Sequence, residues 1–118
     1  MGREGQGVVV INWYSTVFRS DRFQDAVSEI APVALRYGAT SYSVYRADDD
    51  RYKFTHLSSW KSKQDFTAYW EGPEFRRFRV ITSGWYQVPV LYAWQDVSAE
   101  GALAEVAEER PGPLPDVA

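Results

Sequence analysis

LSSWKSKQDFTAYW, Leu57 to Trp70, holds a strand end, a helix start and an aromatic cluster with almost no linker between them. Alternation through KFTHLSSW suits a strand that places Phe54, His56, Ser58 and Trp60 on one face and Thr55, Leu57 and Ser59 on the other. The period then changes. Ser62 precedes a helical run and Asp65 follows three residues later, so the hydroxyl can accept from an end-turn backbone N–H while the carboxylate complements the positive helix end. A strand-to-helix joint is expected here, with Trp60 at the end of the strand.

Working outward, ATSYSVYRA and RYKFTHLSSW flank Asp48, Asp49 and Asp50, which predicts two strands joined by a polar turn. Three adjacent carboxylates invite a metal, but successive residues of a tight turn diverge and no EF-hand spacing brings them together, so a solvated turn is expected. VVVINWYS, Val8 to Ser15, is β-branched and aromatic and reads as the first strand. Val9, Ile11 and Trp13 form an apolar row; Val8, Val10, Asn12 and Tyr14 form a row that turns polar at Asn12. Asn12 is either a satisfied structural amide or a ligand contact.

Ser20 or Asp21 can cap the next segment, where Phe23, Val27, Ile30, Ala34 and Tyr37 recur at helical spacing before Gly38 stops the run. Pro32 removes one hydrogen bond from such a helix and crowds the carbonyl of Ser28, so a kink is expected there, with Pro32 on the outer face. Beyond the joint, Gly72 and Pro73 break the chain, and EFRRFRVIT reads as a second helical piece with Phe75, Phe78 and Thr82 inward. Arg76 and Arg79 are neighbours on that helix and can face an anion together. WYQVPVLYAWQDV, Trp85 to Val97, reads as the last strand, with Pro89 at an edge or a bulge. Residues 1–97 thus form a single domain, and 98–118 a C-terminal extension of a short Ala/Glu helix and a Pro-rich flexible tail.

A chain of 118 residues can bury a core without disulfides or a metal. The absence of cysteine excludes disulfides, thiolate chemistry, Cys-ligated zinc and iron–sulfur clusters. No apolar run approaches the ~20 residues of a membrane span and MGREGQG is not followed by a signal-peptide core, so no membrane partner and a cytoplasmic location are expected. A net charge of −3 supplies no basic field for nucleic acid. Aromatic residues make up 16% of the chain, with five Trp and eight Tyr; such rings fill cores and line pockets for flat organic ligands.

The order strand, helix, strand, strand, helix, strand predicts an α+β, ferredoxin-like βαββαβ fold with both helices on one side of one antiparallel sheet. If the helices cover Val9, Ile11 and Trp13, the bare face is expected to carry Asn12, Tyr14, Phe54, His56 and Trp60. So aromatic a face calls for cover, and a second sheet facing it in a homodimer would supply it.

SSWKSKQDFTAYWEGPEFRRF, Ser58 to Phe78, combines a strand-ending Trp, a polar turn, a helix with D-F-x-x-Y/W, a break and a Phe-bearing helix. This pattern resembles the antibiotic biosynthesis monooxygenase family of dimeric α+β barrels, over roughly Val8 to Val97. The resemblance implies a homodimer enclosing a small aromatic molecule, and cofactor-independent oxygenation of an aromatic polyketide or quinol whose deprotonated, carbanion-like form reduces O₂. On that reading His56 and Asn12 are the candidate catalytic groups; Trp60, Tyr14, Tyr69, Trp70 and Arg79 are the candidate substrate-binding groups; no cofactor or metal is expected. His56 is the only histidine, and its ordinary pKa suits base chemistry near neutral pH.

Haem-degrading members resemble the same stretch. Asn12 matches their first-strand Asn, and Tyr69, or Trp70 with a one-residue shift, falls at their ring-distorting Trp. Their axial histidine falls on Arg79, and a guanidinium has no lone pair to offer iron, so haem degradation is disfavoured unless Tyr69 or His56 supplies the ligand. The same barrels include polyketide cyclases or isomerases and noncatalytic proteins that bind a small ligand. Cavity size discriminates: an opening of ~300 Å³ or more with His56 at its wall favours the enzyme, whereas a space filled by aromatic side chains favours the noncatalytic barrel.

Overall fold

A computed structural model describes residues 6–103 and 112–115. Strands β1 (Gly7–Tyr14), β2 (Ala39–Arg46), β3 (Lys53–Trp60) and β4 (Tyr92–Asp96) pair antiparallel in one sheet of order β2-β3-β1-β4. Helices α1 (Ser20–Ile30), α2 (Lys63–Trp70) and α3 (Pro73–Ile81) complete an α+β ferredoxin-like βαββαβ arrangement, with the second helical unit split at Gly72–Pro73. The short helix expected in the Ala/Glu section falls mostly outside the described residues, as does part of the Pro-rich tail; residues 101–103 and 112–115 carry no helix or strand.

The joint after β3 forms as its chemistry requires. Ser62 is extended and its hydroxyl accepts from the Asp65 backbone N–H at 3.2 Å, with the Asp65 carboxylate in the first turn of α2. Pro32 acts one turn early: α1 ends at Ile30 and the chain tightens into a 3-10 segment, Ala31–Tyr37, closed by Gly38 in the left-handed region at φ 112°. Pro32 itself is half-buried rather than on the outer surface. The start of α1 differs from expectation as well. Ser20 lies inside the helix and its hydroxyl shares a hydrogen bond with that of Ser15, so the position before the helix, Arg19, caps without a side-chain bond.

The final strand is shorter than Trp85–Val97. Tyr86 bridges Ser15, two residues out of step with the β1–β4 pairing, so residues 88–91, with a cis Val88–Pro89 bond, leave the sheet before β4 resumes at Tyr92. Pro89 has no N–H for the ladder, which gives the interruption its cause.

Register decides which face of each strand is buried. Trp13 stands opposite Phe54, Ile11 opposite His56 and Val9 opposite Ser58, and directly opposed residues share a face. Phe54, His56, Ser58 and Trp60 therefore join Val9, Ile11 and Trp13 beneath the helices, all of them buried. This corrects the expected bare face. The uncovered face carries Val8, Val10, Asn12, Thr55, Leu57 and Ser59, a small-residue and aliphatic centre, with the exposed rings of Tyr14 and Tyr45 toward one end.

The helix-side core is a continuous ring assembly. Trp13 contacts Phe23, Phe75, Phe78 and Tyr86, with centroids 5.0 to 6.3 Å apart, and Trp60 contacts Phe66 and Tyr69 at 5.7 and 5.6 Å. Ser62→Ala removes the α2 cap and is expected to lower stability by about 1 kcal/mol without moving the sheet, a change readable in urea melts as a lower midpoint at constant slope.

Candidate functional site

Between sheet and helices lie His56, Trp60 and Tyr69, with Trp70 and Arg79 half-buried on α2 and α3; Asn12 and Tyr14 do not lie there. Asn12 is exposed on the opposite face of β1, and Tyr14, on the same outer row, donates its hydroxyl to Asp50 Oδ2 at 2.8 Å. A β-strand separates them from His56 by its own thickness, because neighbouring positions of a pleated strand point to opposite sides. Asp50 also accepts from the Tyr52 backbone N–H at 3.2 Å, so this member of the acidic turn shapes the hairpin.

Two of the covered residues are already committed. The Tyr69 hydroxyl donates to the Ile30 carbonyl at 2.7 Å, where α1 gives way to the 3-10 segment, and burial pushes the phenol's pKa well up. Trp60 donates its indole N–H to Ser58 Oγ at 2.7 Å while packing between Phe66 and Tyr69. Both groups hold the α2–sheet contact; Trp60 has no donor left for a ligand, and the Tyr69 oxygen can only accept.

His56 is different. It has no exposed surface, and its Nδ1 lies 3.3 Å from the indole Nε1 of Trp13. An indole nitrogen can only donate, so Nδ1 accepts and the proton of a neutral imidazole sits on Nε2. That Nε2 is buried and has no hydrogen-bond partner among the described residues. Burial lowers the pKa of His56 from 6.5 to about 4, so the ring is neutral at physiological pH. His56 thus offers a donor, not a free base.

Arg79 supplies the second such group. Its guanidinium stacks over Trp70 at 4.8 Å and over Phe75 at 5.1 Å, and its Nη1 is buried without a hydrogen-bond partner among the described residues. Trp70 in turn meets Phe66, Phe75 and Tyr92, so one wall of rings runs from Arg79 to the edge strand. Arg76 and Arg79 border a shared cleft with Val80 and Ser83 on the outside of α3. Sequence reasoning missed Trp13 as a functional group, because its place in an apolar row concealed that its ring carries a donor. It also missed Tyr86, which packs 5.0 Å from Trp13 although the expected strand around it is interrupted.

Aromatic side chains fill the space around His56. A groove of about 420 Å³ does open between α1 and α3, but its lining of Ala26, Ile30, Phe78, Ile81 and Trp85, rimmed by Arg22, Glu29 and Arg77, excludes His56.

The family model for antibiotic biosynthesis monooxygenase matches residues 8–80, which spans the first three strands, all of α1 and α2 and most of α3. The chain belongs to the antibiotic biosynthesis monooxygenase family. Its fold is similar to that of PA3566 from Pseudomonas aeruginosa, with a TM-score of 0.73 at 11% identity over 82% of this chain and 98% of that one. It is likewise similar to Rv0793 from Mycobacterium tuberculosis, with a TM-score of 0.71 at 12% identity over 82% and 99% of the two chains. A candidate antibiotic biosynthesis monooxygenase from Nitrosomonas europaea gives a TM-score of 0.72 at 16% identity over 80% and 91%. None of the curated proteins matches in sequence. At these identities the structural likenesses carry the fold alone. Among the described residues, no helix of this family member is long and apolar enough to cross a membrane.

Because the folded-state pKa of His56 is depressed below its unfolded value, the unfolded chain takes up a proton first on acidification. Its contribution is fully present above about pH 6.5 and is lost as pH falls toward 4. The expected penalty is roughly 2 kcal/mol at pH 5, and it should disappear in His56→Leu; urea melts of both proteins at pH 7.5 and pH 5 measure it. Tyr69→Phe, which removes the hydrogen bond to the Ile30 carbonyl, is expected to cost about 0.5–1.5 kcal/mol at either pH.

Proposed function

We propose that the protein binds a flat, oxygen-bearing aromatic molecule of quinol or polyketide type and oxygenates it without a cofactor, on the helix side of the sheet. The observation that carries this reading is the pair of buried, unpartnered N–H donors, His56 Nε2 and Arg79 Nη1, set in a shell of aromatic rings. Rings stack on a flat ligand; the donors need acceptors, which a phenolate, hydroxyl or quinone oxygen provides. Hydrogen bonds to the charged form lower a phenol's pKa, so the donors would favour the electron-rich anion that reacts with O₂ without requiring His56 to remove the proton. For a ring CH₂ oxidised to a carbonyl, one oxygen atom enters the ring and the other leaves as water. All four electrons come from the substrate.

A second reading is a noncatalytic barrel that binds such a molecule, and it is favoured by the filled interior around His56. Haem degradation remains disfavoured by the residues themselves: Tyr69 has given its hydroxyl to Ile30, His56 has no exposed surface, and Arg79 lies against Trp70 and Phe75. The uncovered sheet face, with Val8, Val10 and Leu57 at its centre, supports a homodimer in which two sheets face each other.

Oxygen uptake with a panel of hydroquinones and anthrones separates the two readings. Turnover above the uncatalysed rate, reduced roughly 10- to 100-fold in kcat/KM by His56→Leu, is expected for the enzyme, that range being the loss of one hydrogen bond to a charged group. Saturable quenching of tryptophan fluorescence by the same compounds with no oxygen uptake would leave only the binding protein. Light scattering is expected to give twice the chain mass at micromolar concentration, and a single-chain mass would remove the homodimer.

A further inference from the structure

We infer that Trp13 is a positioning residue: its indole N–H holds the His56 imidazole in the Nε2–H form, and the site thereby selects rings that bear an acceptor oxygen. The inference rests on the proposed binding site, but its first test does not.

Three features of the fold make Trp13 a rigid device. Trp13 and His56 lie diagonally across the β1–β3 ladder, since Trp13 faces Phe54 and Ile11 faces His56, which brings a long side chain within reach of its neighbour's ring. Phe23, Phe75, Phe78 and Tyr86 clamp the indole, with Phe23 and Phe78 edge-on at 5.4 and 5.6 Å. Both partners are fully buried, so no water competes for the bond. Imidazole is neutral in two forms, and the nitrogen that accepts decides which nitrogen donates. Trp13 cannot accept, so it specifies the outcome.

The consequence is chemical selection. With Nδ1 occupied, the imidazole can meet a ligand only through Nε2–H. A ring presenting a carbonyl or phenolate oxygen satisfies such a donor, whereas an unsubstituted hydrocarbon ring leaves it unpaired. Sites built on hydrogen bonds reject analogues that lack the partner, because the buried group is then left without one.

The chain contains one histidine, so an ¹⁵N spectrum of ligand-free protein labelled at histidine reports this ring alone. Wild type is expected to show a protonated Nε2 and an unprotonated, hydrogen-bonded Nδ1 at pH 7. In Trp13→Phe, which keeps an aromatic ring in place, the Nδ1 resonance is expected to shift and an Nδ1–H population to appear. Ligand selection is read with 1,4-naphthoquinone against naphthalene: wild type should bind the quinone at least tenfold more tightly, and Trp13→Phe should shrink that margin. An Nδ1–H ring in wild type, or an ¹⁵N spectrum unchanged by Trp13→Phe, would overturn the assignment. If Trp13→Phe loses its near-ultraviolet circular dichroism, and with it a native fold, the wild-type spectrum alone decides the form. The quinone preference is then tested with His56→Leu, where an undiminished margin overturns the selection. Absent oxygen uptake would count against the oxygenase reading only, since the spectra are recorded without substrate.

Discussion

The pairing of β1 with β3 governs what every other group in this protein can do. With Ile11 opposite His56 and Trp13 opposite Phe54, the apolar row of β1 and the aromatic row of β3 meet on one face and the helices close over them. A slip of one residue would send one of the two rows to the other side of the sheet and part them. The same register gives Trp13 its diagonal approach to His56 and strands Asn12 and Tyr14 on the uncovered face. The hydrogen-bond ladder thus fixes both the core and the membership of the candidate site.

Much of the fold could be read from local chemistry. Ser62 and Asp65 announce α2, Gly72–Pro73 separates it from α3, and Pro32 with Gly38 marks where the first helical run tightens and stops. These signals act within a few residues, so they survive translation from sequence to structure. The chain ends of longer elements were less legible. Pro89 signalled an irregular last strand, but not that Tyr86 would bridge Ser15 two residues out of step. Ser20 looked like a cap, yet its hydroxyl is spent on Ser15, a contact set by how β1 enters α1.

The site was legible in composition and not in arrangement. Alternation correctly grouped Phe54, His56 and Trp60, but alternation within one strand does not say which group faces the helices; that depends on pairing with another strand. Assigning Phe54, His56 and Trp60 to the bare face therefore also assembled His56 with Asn12, which the sheet keeps apart. Trp60 and Tyr69 were recognisable as aromatic lining, while their hydrogen bonds to Ser58 and Ile30, which make them structural, depend on contacts made in three dimensions.

The polar groups of the interior divide into two kinds, and the division argues for a ligand. Tyr69, Trp60 and Thr82 each donate to a nearby oxygen at 2.7 Å, the ordinary condition of buried hydroxyls and indoles. His56 Nε2 and Arg79 Nη1 do not, and a buried donor left unpaired costs about 1–3 kcal/mol. An apolar side chain at position 79 would avoid that cost, whereas one at position 56 would move it to the buried Trp13 indole N–H, which His56 Nδ1 accepts. Internal hydrogen bonding therefore accounts for one nitrogen of the imidazole, Nδ1, and leaves Nε2 and the guanidinium's Nη1 without a partner among the described residues. The oxygen of a bound ring would supply that partner, turning two unsatisfied donors into recognition groups while the neighbouring rings hold its plane.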